Sequence, residues 1–462
     1  MHQLFMPIPI DSLVAFRLGF GLVLLAEVIM ILMKGRIEQY WVDPPFHFSY
    51  YGFDWVRPWP VIGMYIHVIA AGVATVCVAL GFWYRLSAVA LFLLAIYFFL
   101  LDQAYYLNHM YLVCLLCFLM VFVPAHRAFS LDTKRRPARH TTTVPAWSLW
   151  LLRFQMSIVY VYGGLAKLNN DWLHGWPLHI WLRRRQHYPI FGPLFEQEWV
   201  VYFFSYSSLL FDLLVVPLLL WRKSRPFAFG FAIVFHLTNA MLFSIGIFPW
   251  LSLTATLLFF SPEWPRKLLV RLRIVPGSDE HAPGQIRRRA AHPEVLSGRQ
   301  RMIVGFLLTY LLIQVLVPFR HVLYPGNVSW TEEGHHFSWR MMLRGKRGSA
   351  QFKITDPDSG KTWKIKLRDY LNRRQIRKMR SRPEMILLFS HYLAQEKRKE
   401  GYPHVEVRAR VWLSLNGRKY QFLINPTVDL AAQPRSLKPA PWIVPLHQPL
   451  QRRSIRRTRP GQ

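Results

Sequence analysis

Lys167 is placed where a charge is costly. It follows the run MSIVYVYGGLA, which has almost no polarity, and precedes Leu168-Asn169-Asn170-Asp171-Trp172. A lysine near the end of an apolar helix has two uses. It can extend its stem and leave the ammonium among lipid headgroups, or it can stay withdrawn from water, where the neutral amine is favoured and acts as a general base. The preceding Gly163-Gly164 pair admits close approach of another helix or a ligand. His236 lies in VFHLTNAMLFSIG, three residues before Asn239 and so on the same helical face, which suits a pocket lining. His109 follows Asn108 at the start of an apolar run, where it either joins the chemistry or caps a helix. His321 falls just past the last apolar run, where solvation at the interface is the ordinary reading. No HExxH, paired CxxC or carboxylate cluster offers a metal site, and neither a Gly-rich phosphate loop nor a nucleophile elbow is present. The local chemistry is that of a buried base with polar helpers.

The elements that must position these residues belong to a bilayer. Of 462 residues, 52% are hydrophobic and 15% aromatic, yet the net charge is +32. Spanning helices with basic loops and a basic extramembrane domain combine these properties; soluble proteins rarely do. The Lys/Arg clusters flank apolar runs, so anionic lipid and membrane orientation account for them, and nucleic acid is not an expected partner. Apolar segments fall at about 11–33, 60–82, 86–101, 106–124, 147–168, 199–221, 227–244, 247–262 and 302–318. With the N-terminus inside, the inner loops hold Arg85, then Arg127, Lys134, Arg135, Arg136 and Arg139, then Arg222, Lys223 and Arg225, then the stretch from Arg266 to Arg301. The outer loops hold Lys34, Arg36, Arg57 and the run Arg183–Arg185, an asymmetry that obeys the positive-inside rule with nine spans.

The expected architecture is an α-helical polytopic membrane domain of about nine spans over residues 1–318, followed by an extracytoplasmic, hairpin-rich α+β domain over 319–462. The first apolar segment is long and followed by others, so it reads as a retained span rather than a cleaved signal. Residues 169–198, with Trp172, Trp176 and Trp181 beside the arginine run, suit a segment lying at the interface, and 274–300 suits a flexible inner loop. Farther on, SAQFKIT and KTWKIKL alternate about a DPDSG turn, and VEVRARVWLSLNGRKYQFLI turns at Asn416-Gly417, a type I′ signal. Between these hairpins, 372–398 favours helix. Cys77, Cys114 and Cys117 all lie in apolar stretches, so no disulfide framework is expected, and the CxxC spacing of the last two lacks a βαβ context.

Several segments together resemble the vitamin K-dependent gamma-glutamyl carboxylase family. They are YLNHMYL (106–112), IVYVYGGLAKLNNDWLHG (158–175), FHLTNAMLFSIGIFPW (235–250) and FFSPEWPRKL (259–268), followed by PFRH (318–321), FSWRMM (337–342) and the WLSLNGR hairpin. The AKLNNDW and NAMLFSIGIFPW blocks are long enough to be specific, and the order holds over most of the chain.

This resemblance implies oxidation of reduced vitamin K (menaquinone or phylloquinone hydroquinone) by O2 to its 2,3-epoxide, without a metal. That step is coupled to removal of a γ-proton from a substrate glutamate, whose carbanion captures CO2. By the same matching, Lys167 takes the place of the base that deprotonates the hydroquinone. Asn108 and His109 would contact the quinone, His236 and His321 fall on histidines associated with activity, and Tyr160 falls on a pocket tyrosine. Asn239 joins the cofactor-binding set through its face with His236. Arg183 aligns with a family arginine near the site, and either Arg183 or Lys346 is expected to orient the glutamate of a peptide substrate; the alternative is that the Arg183–Arg185 run binds lipid phosphate.

The chain also departs from the family's animal members. A second lysine directly precedes the catalytic one there, where this chain has Ala166. The disulfide tying their membrane part to the outer domain cannot form here, and their longer outer domain argues against propeptide recognition by this chain. Two other readings are epoxidation without carboxylation and, from a different class, a transporter or lipid-binding protein, which would show internal hydropathy symmetry. The expected location is a bacterial plasma membrane or the endoplasmic reticulum membrane, with the N-terminus cytoplasmic.

Overall fold

A chain segment without water around it must satisfy its backbone internally, and each apolar run does so as a helix. In the computed structural model these are α1 (Asp11–Met33), α2 (Val61–Leu80), α3 (Tyr84–Leu100), α4 (Asn108–Phe122), α5 (Trp147–Lys167), α6 (Glu198–Leu220), α7 (Arg225–Leu242), α8 (Phe248–Thr256) and α9 (Gly298–Leu316). The structure describes residues 2–189, 191–243, 245–274 and 296–450; most of the expected inner loop at 274–300 therefore lies outside the described residues. Among the described residues, four helices are long and apolar enough to cross a bilayer: α1, α2, α6, and α9 with its extension to Leu323. The helices α3, α4 and α8 are apolar but shorter. Large side chains such as Leu22, Ile62, Ile66, Phe227 and Val234 point outward, as a lipid solvent allows.

The chain forms two compact units. The first is Met1–Leu165 with Leu210–Phe319, and the second is Ala166–Leu209 with Arg320–Gln462. The chain passes between the units three times, the last time at Phe319–Arg320. Residues 166–209, however, pack with the C-terminal residues rather than with the helices on either side of them in sequence.

In the first unit, arginines terminate helices. The last carbonyls of a helix have no partner within it, and a guanidinium offers several donors in a fixed fork. Fully buried Arg17 donates to the carbonyls of Ala79, near the end of α2, and of Ala125, Ala128 and Phe129 beyond α4. Arg85 reaches Val121 O in the last turn of α4. Arg153 donates to Leu258 O (2.8 Å) and Phe260 O (2.9 Å) past α8, and Arg225 to Leu219 O (2.7 Å) and Leu220 O (3.2 Å) at the end of α6. An Arg17→Leu variant is expected to be less stable by about 3 kcal/mol, because the carbonyls around it lose a charged donor in a dry site. Thermal unfolding of the detergent-solubilised protein measures this; an unchanged transition would mean those carbonyls find other donors.

The second unit contains an antiparallel sheet. Its strands β1 (Lys346–Thr355), β2 (Thr362–Lys364), β3 (Glu406–Leu415) and β4 (Gln421–Phe422) lie in the order β2-β1-β3-β4. Both expected hairpins form, although β2 and β4 are shorter than the alternation suggested. Asn416 (φ 49°) and Gly417 (φ 79°) both take positive φ, and Arg418 N–H donates to Leu415 O at 3.0 Å, the type I′ geometry. The expected single helix over 372–398 is two, α10 (Arg373–Met379) and α11 (Pro383–Lys399). Pro383 supplies no N–H and pushes Arg382 into an extended conformation, which interrupts the helix there. Phe352, Ile354, Val407, Ala409 and Val411 are buried, as are Met385, Ile386, Phe389 and Leu393 of α11, and the Phe352 and Phe389 rings meet edge to face at 5.1 Å.

Candidate functional site

In the first unit, α5, α7 and α8 bring three polar side chains together in an apolar interior. Tyr160 Oη is 3.0 Å from His236 Nε2 and 3.2 Å from Thr256 Oγ1. The Thr256 hydroxyl donates to Ser252 O (2.7 Å), so it accepts from Tyr160 rather than donating to it. The remaining imidazole nitrogen, His236 Nδ1, is buried and has no hydrogen-bond partner. Around it stand Phe235 (ring centroids 5.3 Å apart), Phe211 (5.9 Å) and Phe248 (5.9 Å). The imidazole is thus enclosed by aromatic rings with one of its nitrogens unsatisfied.

Phe248 also lies 6.1 Å from the His109 ring, so it neighbours both histidines. Neither Asn108 nor His109 caps α4: Leu107 precedes the helix and has no side-chain acceptor, while Asn108 Oδ1 accepts from Tyr106 Oη (3.0 Å). Asn239 follows His236 by one turn of α7 but is only half-buried, whereas His236 is fully buried. Thr256 and Phe248 were not singled out in the sequence. The signal available for Thr256 was a threonine pair inside LSLTATLLFF.

The second unit holds Lys167, which is 6% exposed. Its Nζ lies 5.4 Å from the centroid of the Trp172 ring. Trp172 is itself fixed: its indole N–H donates to Ser205 O (3.0 Å), and its backbone N–H donates to Asn169 Oδ1 (3.0 Å). The lysine stem and head are therefore packed inside this unit rather than extended from it. Arg183 ends the short helix Leu178–Arg183 and is exposed. His321 is half-buried, and its backbone is pressed against Gly334 (φ 66°), where a Cβ would lie 2.5 Å from His321 Cα.

Lys346 is differently engaged. Its ammonium donates to Glu332 Oε1 (2.6 Å), Trp330 O (2.7 Å) and Ser381 O (3.0 Å), which accounts for all three of its protons. Arg344 Nε lies 2.6 Å from the same carboxylate oxygen. Burial lowers Lys346 to about 8 despite the pull of Glu332. Burial alone would raise Glu332, but Arg344, Lys346 and Arg382 hold it below its ordinary value.

His335 and His336 lie among the same cations. Burial, then Arg344 for His335 and Arg382 for His336, pushes each well below the usual imidazole value. The unfolded chain therefore binds more protons than the folded one once the pH drops below about 6.5, and stability falls with acidification from there. The unfolding temperature of this unit is expected to drop between pH 7 and pH 5, and less so after His335→Asn with His336→Asn. Tryptophan fluorescence follows it, since Trp330 and Trp339 are fully buried here.

A helical region with candidate membrane spans, followed by a region with strands, defines an integral membrane protein of two parts. The HTTM domain family matches residues 5–264, and the vitamin K-dependent gamma-carboxylase lumenal domain matches residues 299–449. No solved structure matches the chain. The first match covers more than half of the sequence, and the chain belongs to the vitamin K-dependent gamma-glutamyl carboxylase family.

Proposed function

We propose that the chain carries out vitamin K hydroquinone-dependent gamma-carboxylation of protein glutamate, coupled to vitamin K epoxidation and using O2 and CO2. The observation that carries this reading is the burial of Lys167 within the AKLNNDW block of a chain from this family. The γ-hydrogen of a glutamate side chain is too weakly acidic for any amino-acid base. Bound hydroquinone, reacting with O2, supplies a base strong enough to remove it. Lys167 has the easier task of accepting the first hydroquinone proton, in a site from which bulk water is excluded. Tyr160, His236 and Thr256, with His109 and Asn108, would hold the polar edges of the ring, and the phenylalanines would cover its faces. Asn239 and His321 complete the proposed cofactor-binding set.

Arg183, exposed and cationic, would take the carboxylate of a glutamyl peptide through a two-donor fork. Lys346 was the other candidate for that role. With its protons taken up by Glu332 and two carbonyls, it serves the outer domain instead, and Arg183 is the stronger assignment.

The finer topology is also proposed. It has nine spans, a cytoplasmic N-terminus, a membrane catalytic domain over 1–318 and an extracytoplasmic domain over 319–462. The arginine caps support it, because α2, α4, α6 and α8 all end where this orientation puts the inner face. The deciding experiment supplies the protein in nanodiscs with vitamin K hydroquinone, O2, labelled bicarbonate and a glutamyl peptide. Epoxide together with label in the peptide is the expected result. Epoxide without label selects an epoxidase that has lost carboxylation, and neither product removes the reading.

A further inference from the structure

Lys167 closes α5, and one short turn follows before the helix Asn170–Leu173. Within that turn Asn169 N–H donates to Lys167 O at 2.8 Å, so the lysine backbone is tied to what comes next. What comes next is held from a distance. Both Asp171 oxygens are taken by Arg418, at 2.6 Å each, in a two-pronged ion pair between residues 247 apart in sequence. Asn416 Nδ2 adds a third donor to Asp171 Oδ2 at 2.7 Å. The guanidinium is further occupied by Gln448 O (3.1 Å). Asp171, Asn416 and Arg418 are all buried.

An independent contact holds the same two segments together. Gly417, at the tip of the β3–β4 turn, meets the Trp176 ring so closely that a Cβ would lie 2.5 Å from it. Trp176 N–H in turn donates to Asp171 O at 2.8 Å. A buried ion pair is a poor source of stability, because desolvating two charges offsets most of their attraction; it is well suited to fixing register.

We infer that the Asp171–Arg418–Asn416 clamp is the positioning device of the Lys167 amine: the type I′ turn of the outer hairpin sets where the lysine stands. This rests on the reading of Lys167 as the base and adds what aims it. Through Trp172, next to Asp171 and facing Lys167 Nζ, a displacement of the clamp reaches the amine. Neither Asp171 nor Arg418 needs to touch a substrate for this.

The test uses the full chain in nanodiscs and the variant Arg418→Lys, which keeps the charge and loses the fork. One readout needs no quinone: acylation of the Lys167 amine by acetic anhydride, followed by peptide mass spectrometry across pH. The second is kcat and KM for epoxide formation. A labelling rate changed severalfold at fixed pH is expected, together with a roughly tenfold lower kcat at unchanged KM for hydroquinone, since misplacing a catalytic group mainly affects turnover. In a Lys167→Ala background, Arg418→Lys should cause no further loss, because the clamp acts through the lysine. If Arg418→Lys does not fold, the neutral pair Asp171→Asn with Arg418→Gln carries the same readouts. Wild-type labelling and kcat in a folded clamp variant, with Lys167→Ala inactive, overturn the clamp alone, as does an additive loss in the double variant. Full turnover by Lys167→Ala removes the base and the clamp with it.

Discussion

Replacing Lys167 with alanine is expected to lower hydroquinone-driven epoxide formation by about 10²–10⁴-fold, the usual contribution of a positioned general base. The loss should fall on kcat, because the amine takes a proton rather than binding the ring. The first proton of a hydroquinone is the easier one to remove, so an external base should partly replace the missing side chain. Small primary amines added to Lys167→Ala are therefore expected to restore turnover in a concentration-dependent way. The alanine also opens space beside Trp172 for such an amine to enter. Epoxide measured by chromatography against amine concentration decides the matter. Undiminished turnover in Lys167→Ala would remove the residue from the chemistry, however well the family matches.

The second large effect concerns stability. Glu332 has both Arg344 and Lys346 at 2.6 Å from one oxygen, with side-chain exposures of 8%, 17% and 5% respectively. Breaking a buried pair by removing one partner leaves uncompensated charge, which typically costs about 3–5 kcal/mol. Glu332→Ala should therefore destabilise the second unit by about that amount, read from denaturant unfolding by tryptophan fluorescence. Adding Lys346→Met to it should recover part of the loss, because an apolar pair carries no desolvation penalty.

The same group makes a pH prediction. Lys346 is lowered to about 8 in the folded state and is ordinarily near 10.5. Between those values the unfolded chain holds more protons, so Lys346 makes stability rise with pH across that window. Lys346→Met should flatten the slope; a slope unchanged by that variant would assign it elsewhere.

Much of the helical region was legible because lipid imposes a simple rule on sequence. With no water to bind the backbone, apolar runs become helices, and the nine runs located by hydropathy coincide with α1 to α9 to within a few residues. How many of these helices cross is less legible: among the described residues α3, α4 and α8 are apolar yet short, and length with composition makes candidates of α1, α2, α6 and α9. The hairpins were legible for a local reason, since alternation marks strands and Asn416-Gly417 tolerates two positive φ values. The break at Pro383 was equally local and was readable from the missing N–H, although hydropathy ran through it.

The candidate site divides along the same line. Lys167, His236, His109 and Arg183 stood out because their residue types are costly or conspicuous in their surroundings. Thr256 and Phe248 did not, since a threonine and a phenylalanine in an apolar run are ordinary until Tyr160 and His236 are seen beside them. Arg17 and Arg153 lie inside apolar runs that give no sign of their partners, yet their guanidinium groups close the ends of helices far along the chain.

By itself, then, the sequence determined the apolar helices, the C-terminal hairpins, the family and the lysine at the end of an apolar run, because each is read from residues within a few positions of one another. Only the tertiary structure decided that residues 166–209 pack with the C-terminal residues, that Lys346 is consumed by Glu332, and that Arg418 holds Asp171. Those outcomes depend on which of many arginines and lysines meets which of few carboxylates. A chain with 57 basic and 25 acidic residues leaves that choice open until packing brings particular partners within hydrogen-bond reach and excludes water from them.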